Sequence, residues 1–384
     1  MLWLLSLKYI RILPFSLKNN IMTISCLVVT SNSDRPETHL FIGLHKAGID
    51  IVVLCPDTAP YRNLLVDAGV PVHDLQLTQR FDKKGITIIR EHLKRKKFDI
   101  VHAFNNNTVS NSLIATKNYK CKFIAYRGIE ANVSYYDPMS WTTYLHPRVD
   151  VIVCVADAIR RYFWNMKILG IAAPVKKAQT IYKGHDLSWY SDTAISLQEF
   201  DVPEDALTIG CIVNDRPRKG LKYLIAATEL LPKNLPIHFV FIGDVKNKEL
   251  LASIEQSHYS KNIHLLGVQK KAAAIIKSCD ICILPAIKRE GLPKGIIEGM
   301  IQNVAPIVTD SGGSPELIEH GKSGLIVRSG SAQDISDAIE RLFNDRELLA
   351  SMKANAKARI VNDFHTSKTV EQHIDLYKKL IGAQ

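Results

Sequence analysis

The chain is predicted to be an α/β protein built as two doubly wound parallel-sheet domains, and three observations carry that prediction. Short apolar runs of strand length alternate with helical patterns along most of the sequence, which is the βαβ rhythm of parallel sheets. The rhythm comes in two series, parted by a polar stretch near 187–205 that has no clear apolar period. At 384 residues the chain is long for one core and suits two of ordinary size.

Residues 1–21 are basic and apolar, are interrupted by Lys8 and Arg11, and lack a small-residue cleavage site. They fit either an interfacial anchor or an extension ahead of a start at Met22. The first series then runs TISCLVVTSN (strand), HLFIGLHKAG (helix ending at Gly48) and IDIVVLCP (strand). A helix near 61–68, PVHDLQL, a basic helix near 86–97 and the strands FDIVHAF, KFIAYRG and VDVIVCVA follow. The second series is LTIGCIV, HFVFIGD, IHLLGV, CDICILP, APIVTD and GLIV. TVEQHIDLYKKLIG is helical in pattern. The expected plan is an extension (1–21), a Rossmann-like domain (22–187), a linker (188–205), a second Rossmann-like domain (206–364) and a final helix (365–384), with the domains facing across a cleft.

Composition narrows the function. Hydrophobic content of 46% and charged content of 23% are those of a globular protein, and no run approaches the ~18 uninterrupted apolar residues of a spanning helix. A balance of 49 basic against 38 acidic residues, net +11, favours anionic partners such as nucleotide phosphates or anionic lipid. No nucleic-acid-binding motif accompanies the charge, so nucleic acid is set aside. The seven cysteines are odd in number, and Cys26, Cys55, Cys154, Cys211 and Cys282 fall in strand-like runs, as small buried hydrophobes of a reducing, cytoplasmic compartment. Cys279 and Cys282 form a CxxC with no second half-site for zinc.

The chemistry concentrates in CDICILPAIKREGLPKGIIEGMIQNVAPIVTDSGGSPELIEHGKSGLIV (279–327). It is expected to run strand, loop, helix, strand, Gly-rich turn, helix, strand. Pro293 suits the first helical position, so Glu290 lies in the loop at the C-terminal sheet edge and Glu298 lies inside the helix. That edge is where open parallel sheets bind ligands, and a helix start with nearby carboxylates suits phosphate and sugar hydroxyls. The competing reading is a salt-bridge ladder of Glu290, Lys294 and Glu298 on one exposed helix. Gly291 and Pro293 oppose it. Gly312 and Gly313 fit a tight turn, with Ser314 capping the next helix and Pro315 at its first position, or bare amides facing an anion. IGCIVNDRPRKGLKYLI places Arg216, Arg218 and Lys219 between a strand and a helix, as either a solvated basic turn or a diphosphate clamp.

EGLPKGIIE, followed by PIVTDSGGSPELI and HGKSGLIV, resembles the signature of retaining GT-B glycosyltransferases of family 4 (glycosyl transferases group 1). The resemblance implies that Glu290 contacts hydroxyls of the transferred sugar and Glu298 the nucleotide ribose, with backbone around Gly291, Leu292 and Pro293 at the diphosphate. Lys219 and Gly220 match the family's Lys-Gly pair. The family's Arg position holds Val213, which leaves Arg216 as the substitute, Arg218 being less typical. Arg127 stands where many relatives carry a His, as a phosphate or acceptor ligand or an ordinary ion-pairing residue. The Gly-rich first loop is replaced by SNSDRPETHL, which makes Asp34, Arg35 and Glu37 acceptor-side candidates. His102 ends the VHAF strand, and His185 lies in IYKGHD, where relatives show Asn-Gly-x-Asp; a strand-end His is more often structural.

The resemblance therefore implies transfer of a sugar from a nucleotide-diphosphate donor to a glycan or glycolipid acceptor with retention, in envelope polysaccharide or lipopolysaccharide synthesis. No cofactor is implied, and no DxD metal constellation is evident. The catalytic set is Lys219, Arg216 and Glu290. Glu298, Gly291, Leu292, Pro293, Gly312, Gly313 and Arg218 hold the donor, and Arg127, Asp34, Arg35 and His102 face the acceptor. The final helix would cross back onto the first domain. REHLKRKKF (90–98) is either a solvated face or a dock for anionic membrane. Two rivals share the fold: a non-catalytic GT-B subunit and a nucleotide-sugar epimerase.

Overall fold

The computed structural model describes residues 23–382, so the expectations for residues 1–21 and for Met22 lie outside it. The first sheet has seven parallel strands: Ser25–Val29 (β1), Asp50–Cys55 (β2), Val72–Asp74 (β3), Ile100–Phe104 (β4), Lys122–Arg127 (β5), Val151–Cys154 (β6) and, beyond a small antiparallel hairpin of Lys167–Ile168 (β7) and Ile171–Ala172 (β8), Ala178–Thr180 (β9). Their order is β3-β2-β1-β4-β5-β6-β9. The second sheet joins Leu207–Ile212 (β10), Ile237–Ile242 (β11), Ile263–Leu265 (β12), Ile281–Leu284 (β13), Ala305–Thr309 (β14) and Leu325–Val327 (β15) in the order β12-β11-β10-β13-β14-β15. Central strands such as SCLVV are buried at every position, because helices cover both faces of a parallel sheet.

Each order reverses once, between β1 and β4 and between β10 and β13. At such a switch point the loops leaving the two strands diverge and open a crevice at the carboxyl edge. The register sets Cys26 against both Ile51 and Ile100 in the first sheet, and Ile209 against both Phe239 and Ile281 in the second. The basic loop after β10 and the Glu290 loop after β13 are thus neighbours although about seventy residues part them in sequence.

Two hydrophobic cores form, one per sheet. The polar stretch between the sheets is less free than its composition suggests: Leu197 and Val202 are buried in the second core, and 3-10 turns span Leu187–Tyr190 and Leu197–Phe200. The helix Arg346–Asp363 also packs there, through Leu349, Met352, Ala356 and Ile360. The final helix Thr366–Ile381 returns to the first core, where Leu376 and Tyr377 are buried. Leu292 packs against both cores.

The first helix starts at Arg35, four residues before the predicted apolar pattern, because Asp34 caps it. The Asp34 side chain accepts the Glu37 amide at 3.1 Å, and Pro36 sits in the first turn.

Candidate functional site

The carboxyl edges of the two sheets enclose a cavity of about 690 Å3. Its centre is an ionic cluster. Lys219 Nζ lies 3.0 Å from Glu290 Oε1 and 3.2 Å from Oε2, and Arg218 Nη1 donates to Oε1 at 3.1 Å. Glu290 is buried, and both cations are largely covered. Two positive groups on one carboxylate leave a net positive charge where water is scarce, an arrangement that stabilises a further anion. Local sequence builds the cluster. Gly220 has φ +70°, and a Cβ there would lie 1.9 Å from the Pro285 carbonyl. Only glycine fits, and the 3-10 turn Pro217–Lys219 is pinned by the Ile287 amide donating to the Arg218 carbonyl at 2.9 Å.

Glu290 lies off the helix, as Gly291 and Pro293 foretell. The helix is Lys294–Ile301, and Pro293 is its cap residue rather than its first helical one. Pro293 brings no side-chain oxygen, so the first turn is left uncapped beside the cavity. A Cβ on Gly295 would meet Ile212 at 3.1 Å, and one on Gly299 would meet Cys282 Sγ at 2.5 Å. These two glycines, four apart on one face, let the helix lie close on β10 and β13. Glu298 is buried on the cavity wall and pairs with Lys294 at 3.2 Å. Burial pushes its carboxyl up, against the pull of Lys294. One rung of the predicted ladder therefore exists, without Glu290.

The Gly313 amide is not free to meet an anion, and Gly312 is packed against the same loop. The Gly313 amide donates to the Glu290 carbonyl at 3.2 Å, and a Cβ on Gly312 (φ +58°) would lie 2.3 Å from that same carbonyl. The pair props the Glu290 loop from behind. Ser314 does not cap the turn that follows, because Gly313 is the cap and Ser314 Oγ is buried without a partner among the described residues. Gly291 meets the first domain: a Cβ there would lie 2.4 Å from the Gly128 carbonyl.

Three expectations are corrected. Arg216 is exposed and outside the cavity wall, while Arg218 occupies the position expected of it, because residues 217–219 form the turn that faces Glu290. Arg127 is buried and spends its guanidinium on its own loop and on the helix after β4: Nε donates to the Ile129 carbonyl at 2.9 Å, Nη1 to Asn106 Oδ1 at 3.2 Å, and Nη2 to the Ala131 carbonyl. Among the described residues it has no ion-pair partner, and its guanidinium is already engaged. His102 lies mid-strand in β4, buried under the final helix, with Nδ1 2.8 Å from Tyr377 Oη. Burial and the neighbouring His373 hold it well below the usual histidine range. Val213 is likewise a core residue.

Asp34 and Arg35 do line the cavity, but each is already engaged. Asp34 caps its helix and pairs with Lys183, and Arg35 Nη1 donates to the Trp189 carbonyl at 2.8 Å. Lys183 was missed by sequence reasoning. It sits partly buried between Asp34 and Glu37, 3.0 Å from Glu37 Oε1. Burial alone would lower it, but Glu37, Tyr126 and Asp34 hold it above the ordinary lysine value. Its signal was its place just after β9, in IYKGHD. His185 also lines the cavity, bonded to Tyr190 Oη at 2.7 Å, and burial pushes it down to about 3, so it stays neutral. Glu316 was missed too. Its carboxylate accepts the Asp157 and Ala158 amides at 2.6 Å each, capping the first-domain helix Asp157–Trp164 from the second domain.

Two sheets with switch points facing a shared cavity, and an ionic cluster beside an uncapped helix, define a two-domain α/β architecture with a cleft suited to an anionic ligand. The family model "Glycosyl transferases group 1" matches residues 192–359, and "Glycosyltransferase Family 4" matches 38–189. The chain belongs to the group 1, family 4 glycosyltransferases. It is 25% identical over 210 residues to an N-acetyl-alpha-D-glucosaminyl L-malate synthase of Bacillus anthracis, covering 54% of this chain and 55% of that protein. It is 22% identical to the Escherichia coli UDP-Gal:alpha-D-GlcNAc-diphosphoundecaprenol alpha-1,3-galactosyltransferase over 95% of this chain and 98% of that one. Anabaena HepE, solved in complex with UDP, shares the fold at a TM-score of 0.75 and 18% identity, over 93% of this chain and 100% of that one. The fold is GT-B.

Proposed function

We propose that this chain transfers a sugar from a nucleotide-diphosphate sugar to a hydroxyl of a lipid-borne glycan, with retention of configuration, in building an envelope polysaccharide. The observation that carries the reading is the buried Arg218–Glu290–Lys219 cluster beside the uncapped start of the helix Lys294–Ile301. The donor diphosphate lies between the two cations and that helix start, and Glu298 takes the ribose hydroxyls. As the bond from the anomeric carbon to the diphosphate breaks, Arg218 and Lys219 meet the charge gathering on the leaving group. Glu290 orients the sugar from below the same cations. With that charge met by side chains, no metal ion is needed, and transfer continues in chelator. Retention follows from the family resemblance. The lipid-borne acceptor follows from the Escherichia coli relative, whose named acceptor is a diphosphoundecaprenol. The site of action is the cytoplasmic face of the membrane. Among the described residues no helix is long and apolar enough to cross it.

The test is release of nucleotide diphosphate that depends on acceptor, with UDP-sugars tried first because HepE binds UDP. Lys219→Ala is expected to lower kcat by about 10²-fold with little change in donor affinity. Glu298→Ala is expected chiefly to raise the donor KM. Anomeric coupling in the product's NMR spectrum reads retention. Transfer that survives both substitutions ends this proposal. Donor binding without any transfer favours the non-catalytic GT-B subunit instead.

A further inference from the structure

The basic helix suspected of membrane contact, Lys83–Arg95, spends Ile86, Ile89 and Leu93 on the core and offers a surface only charge. A different element offers apolar surface. The β7–β8 hairpin stands off the first domain with Leu169 and Gly170 at its tip, both in the left-handed region at φ +50° and +81°. Leu169 is 83% exposed and Ile171 74%. A hairpin tip of this kind favours Asn or Gly, and a leucine held there is strained. It gains no burial in return.

Aromatic rings collar the tip with their polar atoms tied inward. The Leu169 amide donates to Tyr136 Oη at 2.6 Å, and Tyr136 is 65% exposed. Tyr135 Oη donates to the Ala173 carbonyl at 2.6 Å, and half-exposed Trp141 donates through Nε1 to the Tyr135 carbonyl at 2.9 Å. Lys167 opens the hairpin and Lys176 lies just beyond it, its Nζ 4.4 Å from the Trp164 ring centroid. Neither lysine forms an ion pair among the described residues.

We propose that this hairpin seats the protein on an anionic bilayer. The aliphatic tip enters the acyl boundary, the Tyr and Trp rings lie at headgroup depth, and the lysines meet lipid phosphates. Lysines that flank a protruding aliphatic tip, without a carboxylate partner among the described residues, complement anionic lipid better than they would a second copy of a chain that itself carries net +11. At the hairpin's base opens a second cavity, about 580 Å3, whose wall includes Tyr135, Arg161 and Lys167 and reaches Asp310 and Gly312 of the second domain. Under the function proposed above, a lipid-borne acceptor would approach through this opening. The docking itself does not depend on that function.

The test is cosedimentation of the full chain with vesicles of phosphatidylglycerol and phosphatidylethanolamine, against phosphatidylcholine alone. The double variant Leu169→Asn, Ile171→Thr keeps the turn and strand but removes the apolar tip. It is expected to lose about tenfold or more in partition to anionic vesicles, with an unchanged melting temperature and unchanged nucleotide binding. In a separate variant, the indole introduced by Leu169→Trp is expected to shift its emission to the blue on anionic vesicles only. The proposal is overturned by wild-type chain that stays in the supernatant, by a double variant that binds as well as wild type, or by the absence of an emission shift. A dimer seen by light scattering that the double variant splits, without vesicle binding, assigns the patch to a second copy and also overturns it. Failure of transfer with vesicle binding intact would instead count against the catalytic reading.

Discussion

Glu290 accepts from Arg218 and Lys219 in a site sheltered from water, so each partner is costly to leave alone. Glu290→Gln keeps the shape and removes the charge, which frees both cations for a diphosphate. UDP affinity is expected to hold or tighten by titration calorimetry while turnover falls, a split that a merely structural carboxylate would not produce. Gly220→Ala forces a Cβ against the Pro285 carbonyl at a positive φ. It should cost more than ~2 kcal/mol in chemical denaturation and lower donor binding with it. At this scale the sequence was legible where backbone chemistry speaks locally. Gly291 and Pro293 took Glu290 off the helix, and Lys219-Gly220 marked the turn. It was illegible where orientation decided. Arg216 and Arg218 are two residues apart, and only the path of the 3-10 turn shows which one meets Glu290. Arg127 and His102 offered the right chemistry in strand-like runs, yet one is spent on loop carbonyls and Asn106, and the other sits mid-strand, sealed under a helix.

Elements carry the coupling between the two halves. The helix Asp157–Trp164 has no side-chain cap of its own, and Glu316 from the other domain supplies one. Glu316 also lies in the segment whose Gly313 amide holds the Glu290 carbonyl. Glu316→Ala should therefore cost about 1 kcal/mol, or about 2–4 °C in melting temperature. It should also raise the donor KM, since the prop behind Glu290 loses its tie to the first domain. Glu316→Gln keeps an acceptor oxygen and is expected to recover most of both. The strands and most helices were readable from apolar period alone. The early start at Arg35 was readable as well, through Asp34 and Pro36, but those residues lie before the apolar pattern begins. The capping of one domain's helix by the other's carboxylate has no sequence period and could not be read.

Across the whole molecule, the final helix returns to the first core through neutral, buried histidines. Burial holds His373 down to about 4 and His102 well below its ordinary value, with Tyr377 and Cys26 beside them. Unfolded, each would take up a proton near ~6.5. The unfolded chain thus binds more protons between pH 6.5 and about 4, so the stability these groups contribute is complete above 6.5 and falls as pH drops. Melting temperature is expected to be lower at pH 5 than at pH 7, with hydrogen exchange opening first along Thr366–Ile381. Equal melting at both values, or opening elsewhere first, would remove these histidines as the cause.

The sequence by itself determined the fold class, the doubling of the sheet, the placement of Glu290 in the loop and Glu298 in the helix that follows, and the Lys219 turn. Each is written in short-range pattern: apolar period, breaker residues and the spacing of a strand–loop–helix unit. The tertiary structure alone decided which cation reaches Glu290, that Gly312 and Gly313 support a loop, that Lys183 is held between Asp34 and Glu37, and that Glu316 joins the domains. These are contacts between residues far apart in the chain, and their energies depend on burial and direction, which no local pattern encodes.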